Sequence, residues 1–180
     1  MELDVRQQKE LLAVALASVK EAVEPGGQTV PDEKAFAPQL REPGGAFVTL
    51  HKNGRLRGCI GTFVSQESLL QTVWQMANAA ALHDPRFPPL DKSELDKLDL
   101  EISVLSPLKR TDPQDVEVGR HGIFIISPRG RGVLLPQVAT EHGWDRLTFL
   151  QQTCYKAGLP LNAWQDKDVE VYTFTAQVFA

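Results

Sequence analysis

Hydrophobic residues recur at helical spacing in three stretches of the chain, and each stretch predicts an amphipathic helix. The first covers residues 5–22. The second follows Ser65, a natural cap, and must end before Pro85, because the residue preceding a proline disfavours the helical conformation. The third covers residues 144–157, and Gly158 directly after it is suited to ending a helix.

Strand-like patterns predict a β-hairpin in the first half of the chain. Residues 46–51 and 55–63 flank the dipeptide Asn53-Gly54, which favours a tight type I′ turn. Counting outwards from this turn predicts the pairs Lys52–Arg55, Leu50–Arg57 and Val48–Cys59. Arg57 and Cys59 are therefore expected to share one face of the second strand.

Two later segments are also predicted to be strands. Residues 99–105 alternate, with Glu101 on the face opposite the apolar one, and residues 169–179 form an apolar strand that closes the chain. Strands joined by short turns, with three helices among them, predict an α+β fold with largely antiparallel sheets. The segment 107–136 is rich in Gly, Arg and turn residues and is expected to form either a small lobe or an appended hairpin within a single domain of residues 1–180.

Composition limits the possible functions. The 180 residues are 42% apolar and 23% charged, which is enough to bury a core, and the net charge of −4 does not support a large nucleic-acid interface. No apolar run is long enough to span a bilayer, and the N-terminus lacks the pattern of a signal peptide. Two isolated cysteines indicate a reducing, cytoplasmic environment.

Four sequence blocks and the C-terminal part of the chain carry a family resemblance. The blocks are Leu56-Arg57-Gly58-Cys59-Ile60-Gly61-Thr62, Asp84-Pro85-Arg86-Phe87-Pro88-Pro89-Leu90, Glu101-Ile102-Ser103-Val104-Leu105 and Gly132-Val133-Leu134-Leu135-Pro136-Gln137-Val138-Ala139. In this order they resemble the AMMECR-one domain family, in its prokaryotic form called AmmeMemoRadiSam system protein A. The resemblance implies two unequal lobes with a cleft, and a Memo-like protein and a radical-SAM enzyme as partners. It implies no settled activity.

Cys59 is the candidate with the most distinctive setting. As a nucleophile it would be favoured by the charge of Arg57, and Gly58 and Gly61 would let a substrate approach the sulfur closely. Thr62 completes the string and is expected to line the same site. The alternative is structural, because a free cysteine often packs as a small hydrophobic residue and a strand glycine can mark a bulge.

Four further positions are candidates for acid–base chemistry or binding. His83 is a base, a ligand or a helix-end cap, and Glu101 is either an acid–base group facing a cleft or a solvated strand residue. Arg86 either binds an anionic group or braces its own loop, and the neighbouring Asp84 is expected to line the same binding site. No histidine or cysteine spacing indicates a metal, and no cofactor is predicted.

The sequence is compatible with two functions. In the first, the protein is a substrate-handling or modifying component that acts through a cleft centred on Cys59. Two cysteines cannot hold the three-thiolate cluster of radical-SAM chemistry, so that chemistry would belong to a partner. In the second, the same groove is a non-catalytic binding or adaptor surface for a protein or nucleic-acid partner. Whether the protein is an enzyme is undecided.

Overall fold

A computed structural model describes residues 2–27 and 29–180. The helices are α1 (Val5–Val23), α2 (Leu69–Leu82), α3 (Pro136–Glu141) and α4 (Arg146–Lys156). The strands are β1 (Ala46–Lys52), β2 (Arg55–Thr62), β3 (Leu98–Leu105), β4 (Lys109–Arg110), β5 (Gly122–Ser127), β6 (Gly130–Leu134), β7 (Glu170–Phe174) and β8 (Ala176–Phe179). Short 3₁₀ helices cover Glu33–Ala35, Pro38–Arg41, Lys92–Lys97, Pro113–Asp115 and Ala163–Gln165.

The strands form two antiparallel four-stranded sheets, with the orders β2-β1-β3-β8 and β4-β7-β5-β6. This confirms the predicted α+β class. The prediction of one closing strand over residues 169–179 was wrong. The chain leaves the second sheet after Phe174 and enters the first sheet at Ala176, so that one apolar stretch supplies a strand to each sheet.

The described chain divides into two compact units. One comprises the residues up to Leu105 together with Gln177–Ala180, and the other comprises Ser106–Ala176. The second unit includes the 107–136 segment and continues beyond it. Within the described residues, no helix is both long and apolar enough to cross a membrane.

Each unit has its own hydrophobic core. In the first, α1 and α2 pack together and α2 covers one face of the sheet, where side chains such as Leu11, Val48 and Ile102 are fully buried. In the second, α4 contacts β5 and β6, and Phe149 and Ile123 are fully buried. Alternate residues of β1 are buried under the helices. The residues between them, such as Thr49, lie on the opposite face of the first sheet.

Helix α2 begins three residues later than expected. The predicted cap, Ser65, was wrong, because Ser68 precedes the helix and its Oγ accepts the Gln71 N–H at 3.2 Å. The predicted end was right: His83 is the C-cap, and its N–H donates to the Ala79 carbonyl at 2.8 Å. Asp84 thus follows the helix directly.

The hairpin has the predicted turn but a different register. Asn53 and Gly54 have φ values of 51° and 72°, as a type I′ turn requires, and Lys52 pairs with Arg55. A β-bulge between Leu50 and His51 then shifts the pairing by one residue, with Arg57 as the extra residue. The predicted pairs Leu50–Arg57 and Val48–Cys59 were wrong. The observed pairs are His51–Leu56, Leu50–Gly58, Thr49–Cys59 and Val48–Ile60.

Gly58 explains why this register is required. A Cβ atom at Gly58 would lie 2.2 Å from the carbonyl oxygen of Ala80 in α2. Gly58 is the residue of β2 that pairs with Leu50, whose side chain is fully buried in the first core. The bulge therefore places a residue without a side chain where the strand meets the helix backbone.

Gly58→Ala is expected to lower the free energy of unfolding by about 2 kcal/mol, because the new methyl group must displace helix backbone. The matched control is Gly26→Ala, since a Cβ there would make only ordinary contacts at 3.8 Å. The control should change stability by less than about 0.5 kcal/mol. Urea unfolding of both variants measures the difference, and equal stabilities would show that Gly58 has no packing role.

Candidate active site around Cys59

The backbone of Cys59 is held by two charged side chains. The Asp84 carboxylate accepts the Cys59 N–H through Oδ2 at 2.8 Å, and the Arg86 guanidinium donates to the Cys59 carbonyl at 3.3 Å. Strand β2 is at the edge of its sheet, where outward-pointing backbone groups lack a neighbouring strand. Asp84 and Arg86 therefore bind Cys59 as a neighbouring strand would, at a single position.

Asp84 and Arg86 also bind each other. The guanidinium donates to both carboxylate oxygens, at 2.9 Å from Nε and 2.7 Å from a terminal nitrogen, and the Arg86 backbone N–H adds a bond of 3.1 Å. The Asp84 side chain is only 2% exposed, whereas that of Arg86 is 54% exposed. The hydrogen bond from Arg86, helped by the Cys59 N–H, lowers the pKa of Asp84 well below its usual range although burial opposes this. Asp84 is therefore ionised at neutral pH.

The sulfur of Cys59 has a hydroxyl partner. Thr49 Oγ1 lies 3.2 Å from Cys59 Sγ and donates to it across the β1–β2 pair. Cys59 is half-buried, whereas Cys154 is fully buried in the core of the second unit. Sequence reasoning missed Thr49, because the predicted register placed Val48 opposite Cys59. A one-residue bulge at Arg57 is what brings Thr49 opposite Cys59.

Glu101 lies on the same face of the sheet. Thr49 of β1 pairs with Cys59 on one side and with Glu101 of β3 on the other, so the three residues form a row across the sheet. Because neighbouring strands are about 4.8 Å apart, the Cα atoms of Cys59 and Glu101 are separated by about 10 Å. We call Thr49, Cys59 and Glu101 the Cys59 row. A thiol and a carboxylate thus flank the space above Thr49.

The structure gives Arg57 partners that the sequence did not predict. Its guanidinium donates to both oxygens of Glu94, at 3.1 and 2.9 Å, and to the Pro88 carbonyl at 3.0 Å. Lys52 also contacts Glu94, at 2.6 Å. The Arg57 hydrogen bond is the main cause that lowers the pKa of Glu94 to about 2. Arg57 and Lys52 therefore share the one carboxylate of Glu94, and the contacts of Arg57 fasten the loop after α2 to the hairpin.

The other predicted residues have local contacts. A Cβ at Gly61 would lie 2.2 Å from the ring of Phe47, so this glycine makes room for an aromatic side chain on the neighbouring strand. Thr62 Oγ1 donates to the Val64 carbonyl at 2.8 Å. His83 is exposed and serves as the C-cap of α2. The structure thus brings Cys59, Asp84 and Arg86 into direct contact and places Glu101 on the same face as Cys59.

These features define a class: an α+β protein in which a half-buried cysteine on an edge strand is fixed by an Asp-Pro-Arg loop. The AMMECR1 family model matches residues 12–179, and the chain belongs to this family. A protein of Thermococcus onnurineus is 41% identical over 180 residues, covering 94% of this chain and 87% of its own. A protein of Methanothermobacter thermautotrophicus is 47% identical over 147 residues, covering 78% of this chain and 77% of its own.

A solved structure shows the same fold. The crystal structure of the uncharacterized protein PH0010 from Pyrococcus horikoshii superposes with a TM-score of 0.85 at 36% sequence identity. The match covers 99% of this chain and 93% of that one. The family and the fold are therefore established, and the names of these relatives state no activity.

Asp84→Asn is expected to make the free energy of unfolding depend less strongly on pH in the acidic range. Because the pKa of Asp84 is lower in the folded chain, its ionised form contributes stability that is complete above the unfolded pKa of about 4 and is lost as the pH falls towards the folded value. The variant should be less stable than the parent by about 2 kcal/mol at about pH 7, and the gap should narrow towards about pH 3.

Urea unfolding of both proteins across this pH range measures the gap. Glu141→Gln, which changes an exposed carboxylate in the other unit, is the control and should behave as the parent does. A gap between Asp84→Asn and the parent that stays constant with pH would contradict the role assigned to the ionised carboxylate.

Proposed function

We propose that the Cys59 row handles a substrate, and that the protein is a substrate-handling or modifying component that acts with a Memo-like protein and a radical-SAM enzyme. The observation that carries the proposal is the pair of hydrogen bonds from Asp84 and Arg86 to the backbone of Cys59. They determine where one thiol is held.

The energetics of a buried carboxylate support this interpretation. Removing Asp84 from water opposes its ionisation, and a buried ion pair is weak evidence for a purely stabilising role. Functional side chains, in contrast, need a backbone that is fixed to within a fraction of an ångström. Asp84 and Arg86 meet that need, because they bind both the N–H and the carbonyl of Cys59.

The chemistry of the row is compatible with modification of a substrate. A cysteine acts as a nucleophile in its thiolate form, and the Thr49 hydroxyl would stabilise negative charge on the sulfur. A substrate above Thr49 would lie between the thiol and the Glu101 carboxylate, which could accept or donate a proton.

The partners and the location in this proposal have separate support. The Memo-like and radical-SAM partners come from the family resemblance. Two cysteines are too few for a three-thiolate cluster, so any radical step would belong to the partner. The two free thiols support a cytoplasmic location, since such thiols persist where the environment is reducing.

One observation favours the alternative of a non-catalytic binding module. The hydrogen-bond partner of the sulfur is a hydroxyl group, whereas an activated cysteine nucleophile is usually paired with a base. In that case Asp84 and Arg86 would fix the shape of a recognition surface for a protein or nucleic-acid partner. The two functions differ in whether the thiol itself is needed.

Cys59 should react with iodoacetamide faster than Cys154, because Cys59 is half-buried and Cys154 is fully buried. Mass spectrometry of the peptides that contain each cysteine, taken over time from the folded protein, measures both rates. Thr49→Val tests the hydroxyl and should slow the labelling of Cys59 alone. If Cys59 stays unlabelled while the protein is folded, the catalytic function fails.

The biological role is tested by capture from native cells with the parent, Cys59→Ser and Asp84→Ala. A modifying component should lose its covalent or bound product in both variants, since one lacks the thiol and the other lacks its support. A binding module should keep its partner in Cys59→Ser and lose it in Asp84→Ala. Cys154→Ala, which removes the other thiol, is the control and should capture what the parent captures.

A further inference from the structure

A second candidate site lies in the unit Ser106–Ala176. A polar pocket of about 620 Å³ is lined by residues of β4 and β7, the loop after β4, and the first turn of α4. Its volume is within the usual range of about 300–1,000 Å³ for small-molecule sites. None of the four sequence blocks that carry the family resemblance contributes to this pocket, so it is independent of the Cys59 row.

Four cationic side chains line the pocket, and two of them are neutralised. Arg110 pairs with Glu170 at 3.0 Å, and Arg120 pairs with Glu117 at 3.0 Å. Among residues 2–27 and 29–180, no carboxylate lies within ion-pair distance of the other two, Lys109 and Arg146.

Arg146 is nevertheless oriented. Its guanidinium donates to the carbonyl of Gln114, a residue of the 3₁₀ helix that also lines the pocket. A guanidinium has five N–H donors, so this bond leaves others for a ligand. Planar donor pairs of this kind suit carboxylate and phosphoryl oxygens.

His121 adds a neutral donor. Its Nδ1 accepts the Glu117 N–H at 3.1 Å, so the ring proton of the neutral form is on Nε2. Burial lowers the pKa of His121, and the nearby charges of Arg120 and Lys109 lower it further although Glu117 opposes them. At neutral pH the ring is therefore uncharged, and Nε2–H can donate to an anion.

From these contacts we propose that the pocket binds a small organic anion through a phosphoryl or carboxylate group held by Lys109, Arg146 and His121. Asp112 and Asp115 also line the pocket. Their carboxylates accept hydrogen bonds, so the ligand that fits has hydroxyl or amino groups beside its anionic group. A sugar phosphate and a hydroxy acid share this chemistry.

The test is an NMR titration of the intact chain with three probes at constant ionic strength: inorganic phosphate, glycerol phosphate and malate. Saturable shifts of the backbone amides of residues 109–112, 114–121 and 146 are expected with at least one probe. Binding of glycerol phosphate alone would identify a phosphorylated ligand, and binding of malate alone a carboxylate. If no probe produces saturable shifts at these residues, the proposal is overturned.

Two variants with the same change of charge make the test specific. Lys109→Gln should weaken probe binding about tenfold, as expected for the loss of one hydrogen bond between charged groups. Lys167→Gln removes an exposed cation of the same unit outside the pocket and should leave the affinity unchanged. Equal weakening in both variants would mean that the affinity depends only on the net charge of the protein. That result would also overturn the proposal.

Discussion

Cys59 lies on an edge strand, and its backbone N–H and carbonyl are bound by the side chains of Asp84 and Arg86. This contact joins the two most distinctive sequence blocks, because one contains the cysteine and the other contains the Asp-Pro-Arg loop. It depends on helix α2 ending at His83, which delivers Asp84 to the strand, and on Gly58, which lets the strand approach the helix backbone. The Arg57–Glu94 pair then fastens the rest of the loop.

Much of the fold could be predicted from local signals. Helical periodicity, the Asn53-Gly54 turn and the alternation in β3 each depend on neighbours in sequence, and each led to the correct element. The register of the hairpin could not be predicted in this way. The bulge at Arg57 is required by the close approach of Gly58 in β2 to Ala80 in α2. This contact between a strand and a helix does not change the alternation of polar and apolar residues along the strand. The closing stretch likewise reads as one strand because both halves are apolar.

The sequence indicated candidate residues for the site, but it did not indicate the hydrogen bonds that connect them. Cys59, Asp84 and Arg86 were each candidates, yet nothing in the sequence indicates that a carboxylate 25 residues away binds the Cys59 N–H. Nor does the sequence indicate that Arg57 binds the carboxylate of Glu94, 37 residues away. Thr49 was missed because the correct face of a strand is known only when its register is known. Only the folded structure shows these hydrogen bonds between residues far apart in sequence.

If the ionised Asp84 carboxylate binds the Cys59 N–H, this amide is protected, and hydrogen exchange at Cys59 measures that protection. An outward-pointing amide on an edge strand would otherwise exchange quickly. We expect a slowly exchanging Cys59 amide in the parent and exchange about tenfold faster in Asp84→Ala. The amide of Ile102 in the central strand β3 should be unchanged. Fast exchange at Cys59 in the parent, or equal rates in the two proteins, would contradict it.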